Sequence, residues 1–145
     1  MEKRIKIDQV LPESYKAMYA FSTVAKPTHL SPLQNELIKI RTSQINGCAF
    51  CLNMHSIDAR KLGEREQRIY TLSAWRETPY FSEEDQAILT LTEELALIHQ
   101  HVSDSTYQRA AKVLSEQQIA EVIMTSVVIN SWNRIAISTG MMAPE

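Results

Sequence analysis

Apolar positions recur along this chain at three- and four-residue spacing almost throughout, and strict alternation of apolar and polar residues is nowhere sustained. The pattern is helical. Pro12 can open a first helix running to about Val24, with Tyr15, Met18, Tyr19 and Ser22 along one side, before Lys26-Pro27-Thr28 breaks it. Ser31-Pro32-Leu33-Gln34 combines an N-cap serine, a proline at the first helical position and a glutamine at the capping-box position, so a second helix begins there. It turns Leu33, Leu37 and Ile40 inward and ends before Asn46-Gly47, a turn that puts Cys48 in the first turn of a third helix reaching to Gly63. A short polar helix is expected over 64–73, then a connector at Thr78-Pro79-Tyr80-Phe81. Ser82 caps a helix that starts with Glu83-Glu84-Asp85 and carries Ile88, Leu91, Leu95 and Ile98 as its apolar stripe. Ser103 and Ser115 cap two more. The last runs from Glu116 to about Thr139 and is apolar on more than one side, as expected of a helix that is central or packed on another subunit.

Composition agrees with this pattern and narrows the function. Three glycines and five prolines in 145 residues are too few for the many tight turns of a β-sandwich or barrel. With no internal repeat or linker, the expectation is one all-α domain over residues 1–145, of about six or seven helices. A net charge of -2 and a pI near 6.1 supply no field that would concentrate the protein on phosphate, so neither a nucleic acid nor an anionic membrane is expected as partner. No apolar run approaches the roughly 20 residues of a spanning helix, and the start MEKRIKIDQVLPESYK has no apolar stretch of signal-peptide length; a cytoplasmic location is expected. Cys48 and Cys51, the only cysteines, are too close together to staple a long loop, which excludes a secreted disulfide framework.

That pair is where the chemistry concentrates. At about 100° per residue Cys48, Cys51 and His55 share one face of the third helix. A helix N-terminus favours thiolate over thiol, and Cys48 would feel this most directly. An imidazole near a sulfur can take its proton and then stabilise the anion, which favours Cys51, the nearer to His55. Glu36 lies on the preceding helix, which the Asn46-Gly47 turn folds back, so its carboxylate can orient His55 or receive its proton. The two-residue gap permits a disulfide, so an oxidised product can be captured and later reduced.

Glu36 followed by Cys48-x-x-Cys51-x-x-x-His55 resembles the core motif of the alkylhydroperoxidase D (AhpD)-like family, within the carboxymuconolactone decarboxylase superfamily. The core occupies 31–63, and Leu72-Ser73-Ala74-Trp75-Arg76-Glu77-Thr78 and Asn130-Ser131-Trp132-Asn133-Arg134 are similar to segments of its small single-domain members. The resemblance implies an all-α homo-oligomer, trimeric or hexameric, that reduces hydroperoxides with no haem, metal or other cofactor. It makes Cys51 the peroxidatic thiol, activated through Glu36 and His55, and Cys48 the thiol that resolves the sulfenic acid. It also implies an external dithiol reductant, a lipoyl-bearing or thioredoxin-like protein. One position departs from the family: Phe50 stands where the characterised alkylhydroperoxidase has a second histidine, and phenylalanine moves no proton.

Other readings compete. Two thiolates, an imidazole and a carboxylate are also four ligands for zinc, although structural knuckles place C-x-x-C in a turn and no second pair exists here. A disulfide oxidoreductase acting on another thiol, a helical oligomeric scaffold and a decarboxylase like the superfamily's namesake complete the set. His29, His99 and His101 read as structural or solvated, Trp75 and Trp132 as core or interface anchors, and Asn133 and Arg134 as inter-helix or inter-subunit bonds.

Overall fold

The computed structural model describes residues 4–144; residues 1–3 of the basic start, and Glu145, lie outside the described residues. Helices are the only regular elements among those residues: α1 (Ile7–Val10), α2 (Pro12–Val24), α3 (Pro32–Asn46), α4 (Ala49–Lys61), α5 (Glu66–Tyr70), α6 (Glu83–Ala96), α7 (Asp104–Val113) and α8 (Glu116–Thr139). Two 3-10 segments, Leu72–Glu77 and Ile98–Gln100, follow α5 and α6. The all-α expectation holds.

Starts and stops follow local chemistry. Ser31, Ser82 and Ser115 each accept the backbone N–H three residues on while Gln34, Asp85 and Gln118 reach back, making three full capping boxes. Ser103 caps α7 through the N–H of Thr106. The differences from the sequence reading are at weaker signals. The polar helix expected over 64–73 is only Glu66–Tyr70, and the chain then tightens into the 3-10 segment Leu72–Glu77, which buries Leu72 and Trp75. Trp75 is held there by its indole N–H, which donates to Glu93 at 2.9 Å, a carboxylate shared with Arg41 and Arg76. The stripe of α6 stops at Leu95, because the helix ends at Ala96 and leaves Ile98 exposed. Short α1 carried no periodicity to read.

The core is built around α3, which packs on α4, α6 and α8. One apolar cluster joins Ile38, Ile88, Leu91 and Val122; a second joins Leu37, Ile40, Ala59, Leu72 and Trp75. A third, smaller one sets Cys48 and Cys51 against Ile129 and Ala136 of α8. The end of α3 is fastened to α8 by fully buried Asn133, which donates to Ser43 Oγ at 3.0 Å and accepts from Asn46 Nδ2 at 2.9 Å. Those are inter-helix bonds, whereas Arg134 bonds Asn130 within α8. Helix α2 buries no residue in the core and instead roofs the site described next.

Candidate active site

The reacting groups come from the α3–α4 hairpin. Gly47 closes α3 in the left-handed conformation, φ 70°, where a side chain would be strained, and Cys48 N–H returns to Ser43 O at 3.0 Å. Two residues thus separate the helices, and α4 runs back along α3. The return sets Glu36 against His55: Oε2 accepts from His55 Nδ1 at 2.8 Å, and Oε1 accepts from Lys39 Nζ at 3.0 Å. Glu36 and His55 are buried. Because a carboxylate only accepts, Nδ1 carries the ring proton and Nε2 is left as the base. Burial pushes the Glu36 carboxyl up, but the hydrogen bond from His55 and the charge of Lys39 outweigh it, and the group stays below the ordinary glutamate range.

Cys48 and Cys51 are joined in a disulfide, their Cα atoms 5.4 Å apart. Cys48 is not in the first turn of α4 but one position earlier: it is the N-cap, and its sulfur accepts the Cys51 backbone N–H at 3.3 Å. The start of α4 thus lies directly against the Cys48 sulfur. Cys51 has a different asset. A cavity of about 830 Å³ lies over the hairpin, and Cys51, His55, Glu36, Lys39 and Phe50 line it; Cys48 does not. Across from them stands Trp132, whose indole N–H donates to Ser22 Oγ at 2.8 Å and whose ring meets Tyr15 edge-on at 5.5 Å.

All four residues singled out in the sequence thus belong to one hairpin. Lys39 was missed, although its position three residues after Glu36 on one helix was a legible signal. The four-ligand zinc set is not assembled, since the two sulfurs are bonded to each other. Ligand atoms of Glu36, His55 and Asp58 do lie within 4.8 Å of one another, the one such trio among the described residues. The ammonium already on Glu36 opposes a second cation there.

The comparisons with known proteins fit this geometry. Residues 12–94, more than half the chain, match the carboxymuconolactone decarboxylase family. The chain belongs to that family. Within it the protein is AhpD-like. The uncharacterized protein YdfG of Bacillus subtilis (strain 168) is 43% identical over 144 residues, covering 99% of this chain and 98% of YdfG. ATU0492 of Agrobacterium tumefaciens, a protein of unknown function provisionally named as the antioxidant defence protein AhpD, superposes with a TM-score of 0.94 at 32% identity over 99% of both chains. A peroxidase-related alkylhydroperoxidase AhpD core from Ralstonia eutropha JMP134 shares the fold at TM-score 0.84 and 16% identity, over 95% of this chain and 74% of that one. For a carboxymuconolactone decarboxylase family member of this AhpD-like kind, a C-x-x-C pair beside a carboxylate–imidazole bond agrees with redox work of the peroxidase type.

The rim of the cavity is held from a distance. Glu121 of α8 accepts the backbone N–H groups of Thr28, His29 and Leu30 at 2.8 to 3.0 Å, and His29 Nδ1 at 2.8 Å, pinning the loop between α2 and α3. His29 is therefore a structural residue. Burial raises the Glu121 carboxyl, but the Thr28 N–H, the His29 ring and the other two N–H groups bring it down from the ordinary 4.5 to about 2. A depressed carboxyl stabilises the fold above its unfolded pKa, and that contribution fades as pH falls from about 4.5 toward about 2. The melting temperature of Glu121→Gln should therefore lie below the wild type's at neutral pH, and the gap should close across that acid window. A gap that stays constant would show that the clamp does not act through charge.

Proposed function

We propose that the protein is a thiol-dependent hydroperoxide reductase, in which Cys51 attacks the peroxide and Cys48 resolves it. The observation that carries this reading is the 2.8 Å bond between buried Glu36 and His55 on the same cavity wall as Cys51. In the reduced protein His55 Nε2 takes the Cys51 thiol proton, and Glu36 stabilises the imidazolium. The thiolate attacks the terminal peroxide oxygen. A sulfur–oxygen bond forms as the O–O bond breaks, the alkoxide takes the proton from His55, and an alcohol leaves. Cys48, as a thiolate at the helix N-cap, then attacks the Cys51 sulfenic acid. The hydroxide displaced takes up the proton that Cys48 released on ionising and leaves as water, and the disulfide closes. An external dithiol returns two electrons and two protons, becoming a disulfide itself. A lipoyl-bearing or thioredoxin-like protein fits that role in a reducing cytoplasm.

We infer also that the working form is a homo-oligomer, trimeric or hexameric. Met124 and Val127 leave adjacent exposed apolar side chains on α8 that such an assembly would cover.

The test is direct. Reduced protein treated with an equivalent of organic hydroperoxide should lose two thiols, yield one alcohol, and recover both thiols with dithiol, without added metal. Thiol–disulfide exchange with no peroxide consumed would make it a disulfide oxidoreductase instead; unreactive thiols would leave a scaffold.

A further inference from the structure

The cavity over Cys51 is far larger than the reaction needs. Its volume of about 830 Å³ lies among cavities that enclose whole organic ligands, roughly 300–1,000 Å³, whereas a water occupies about 30 Å³. Its walls are largely hydrocarbon and aromatic: Tyr15 and Tyr19 from α2, Phe50 and Met54 from α4, Ile129 and Trp132 from α8. Burial, more than the neighbouring Tyr19 and Asp8, holds the Tyr15 hydroxyl above its ordinary pKa. Such a surface favours an extended apolar body over a small peroxide, which has little apolar area to bury.

The charges on the lining add a second requirement. Besides His55 they are Glu36, Lys39 and Lys26. Glu36 is engaged by Lys39 and His55 at the reacting end. Lys26 is exposed on the rim loop that Glu121 clamps, and it pairs with no carboxylate among the described residues. The lining side chains therefore carry a surplus of positive charge, with exposed Lys26 the cation that no carboxylate contacts among the described residues, while the ionised Glu121 of the same rim is engaged by the Thr28, His29 and Leu30 N–H groups.

We propose that the cavity takes an amphipathic organic carboxylate of the fatty-acid class, with its chain along the α2–α8 wall, its carboxylate at Lys26 and its hydroperoxy group at Cys51. The last element rests on the hydroperoxide-reductase reading; the first two do not. The bond changes are those already given, with a fatty-acid hydroperoxide reduced to the hydroxy acid.

Binding and turnover separate the two readings. Dodecanoate is redox-inert, so its binding to the oxidised wild-type protein, followed by equilibrium dialysis and by tryptophan fluorescence, reports the cavity alone. Dodecanoate should bind about fivefold more tightly than dodecanol, the yield of one partly exposed ion pair. Lys26→Gln should remove that preference and leave dodecanol unchanged, and Lys26→Glu should reverse it. Equal affinities in the wild type, binding of neither, or a preference untouched by both variants would overturn the proposal. In the same preparations a fatty-acid hydroperoxide should show a higher kcat/KM than its methyl ester, and Lys26→Gln should abolish that difference chiefly through KM. Dodecanoate bound with its preference, but no hydroperoxide consumed, would overturn the reductase reading and leave the ligand class standing.

Discussion

Cys51→Ser should bring peroxide turnover down to the uncatalysed rate, while Cys48→Ser should still consume one equivalent of peroxide per chain and then stop. The asymmetry follows from where each sulfur sits. Both sulfurs pack against Ile129 and Ala136, but Cys51 is on the cavity wall with His55 and Cys48 is absent from that wall. A serine hydroxyl in place of Cys51 is far too weak an acid for His55 to ionise. In Cys48→Ser the attack on peroxide proceeds, but no sulfur is present to displace hydroxide, and a sulfenic acid accumulates. Mass spectrometry after reaction with a sulfenic-acid trap, in protein freed of reductant, checks both variants. The reverse pattern, with the burst retained in Cys51→Ser, would hand the attack to Cys48 and show that the helix terminus outweighs the imidazole.

The second large effect is expected at the carboxylate. In Glu36→Gln the side chain keeps its shape but loses the charge that stabilises the His55 imidazolium after it has taken the Cys51 proton. The rate of attack on peroxide should fall about 10²-fold, at the lower end of what a positioned acid–base group contributes. The pH dependence gives the sign. Glu36 has its pKa below the ordinary range, opposed by burial but lowered by His55 and Lys39, so it is ionised throughout neutral pH and supports the thiolate there. Without it the sulfur anion is less favoured, and the acid limb of thiol reactivity should move to higher pH. Alkylation of the reduced protein by iodoacetamide as a function of pH measures that limb. His55→Gln should cost about as much. The double variant should cost little more, because the two residues act as one unit. An unshifted limb in Glu36→Gln would reduce the carboxylate to a structural partner of Lys39.

Much of this was legible in the chain because the signals are local. A serine followed three residues later by glutamine or aspartate marks a helix start wherever it falls, and Ser31, Ser82 and Ser115 did so. Where the signal was a mere polar stretch, as in 64–73, or a capless four-residue helix, as in Ile7–Val10, the reading failed or had nothing to hold. Cys48 shows the limit of resolution: one residue separates a first-turn thiol from an N-cap sulfur that accepts a hydrogen bond, and the left-handed Gly47 decided it.

The sequence by itself determined the all-α class, the caps, and the meeting of Glu36 with the C-x-x-C-x-x-x-H face, since helix periodicity and one glycine turn suffice to bring those groups together. Only the tertiary structure decided which sulfur lines a cavity, how large and apolar that cavity is, and what holds its rim. The bonds responsible join residues about ninety positions apart, Glu121 to the Thr28–Leu30 backbone and Asn133 to Ser43. Such pairings depend on how α8 lies across α3, and that is settled by the packing of the whole core rather than by any local preference of the residues involved.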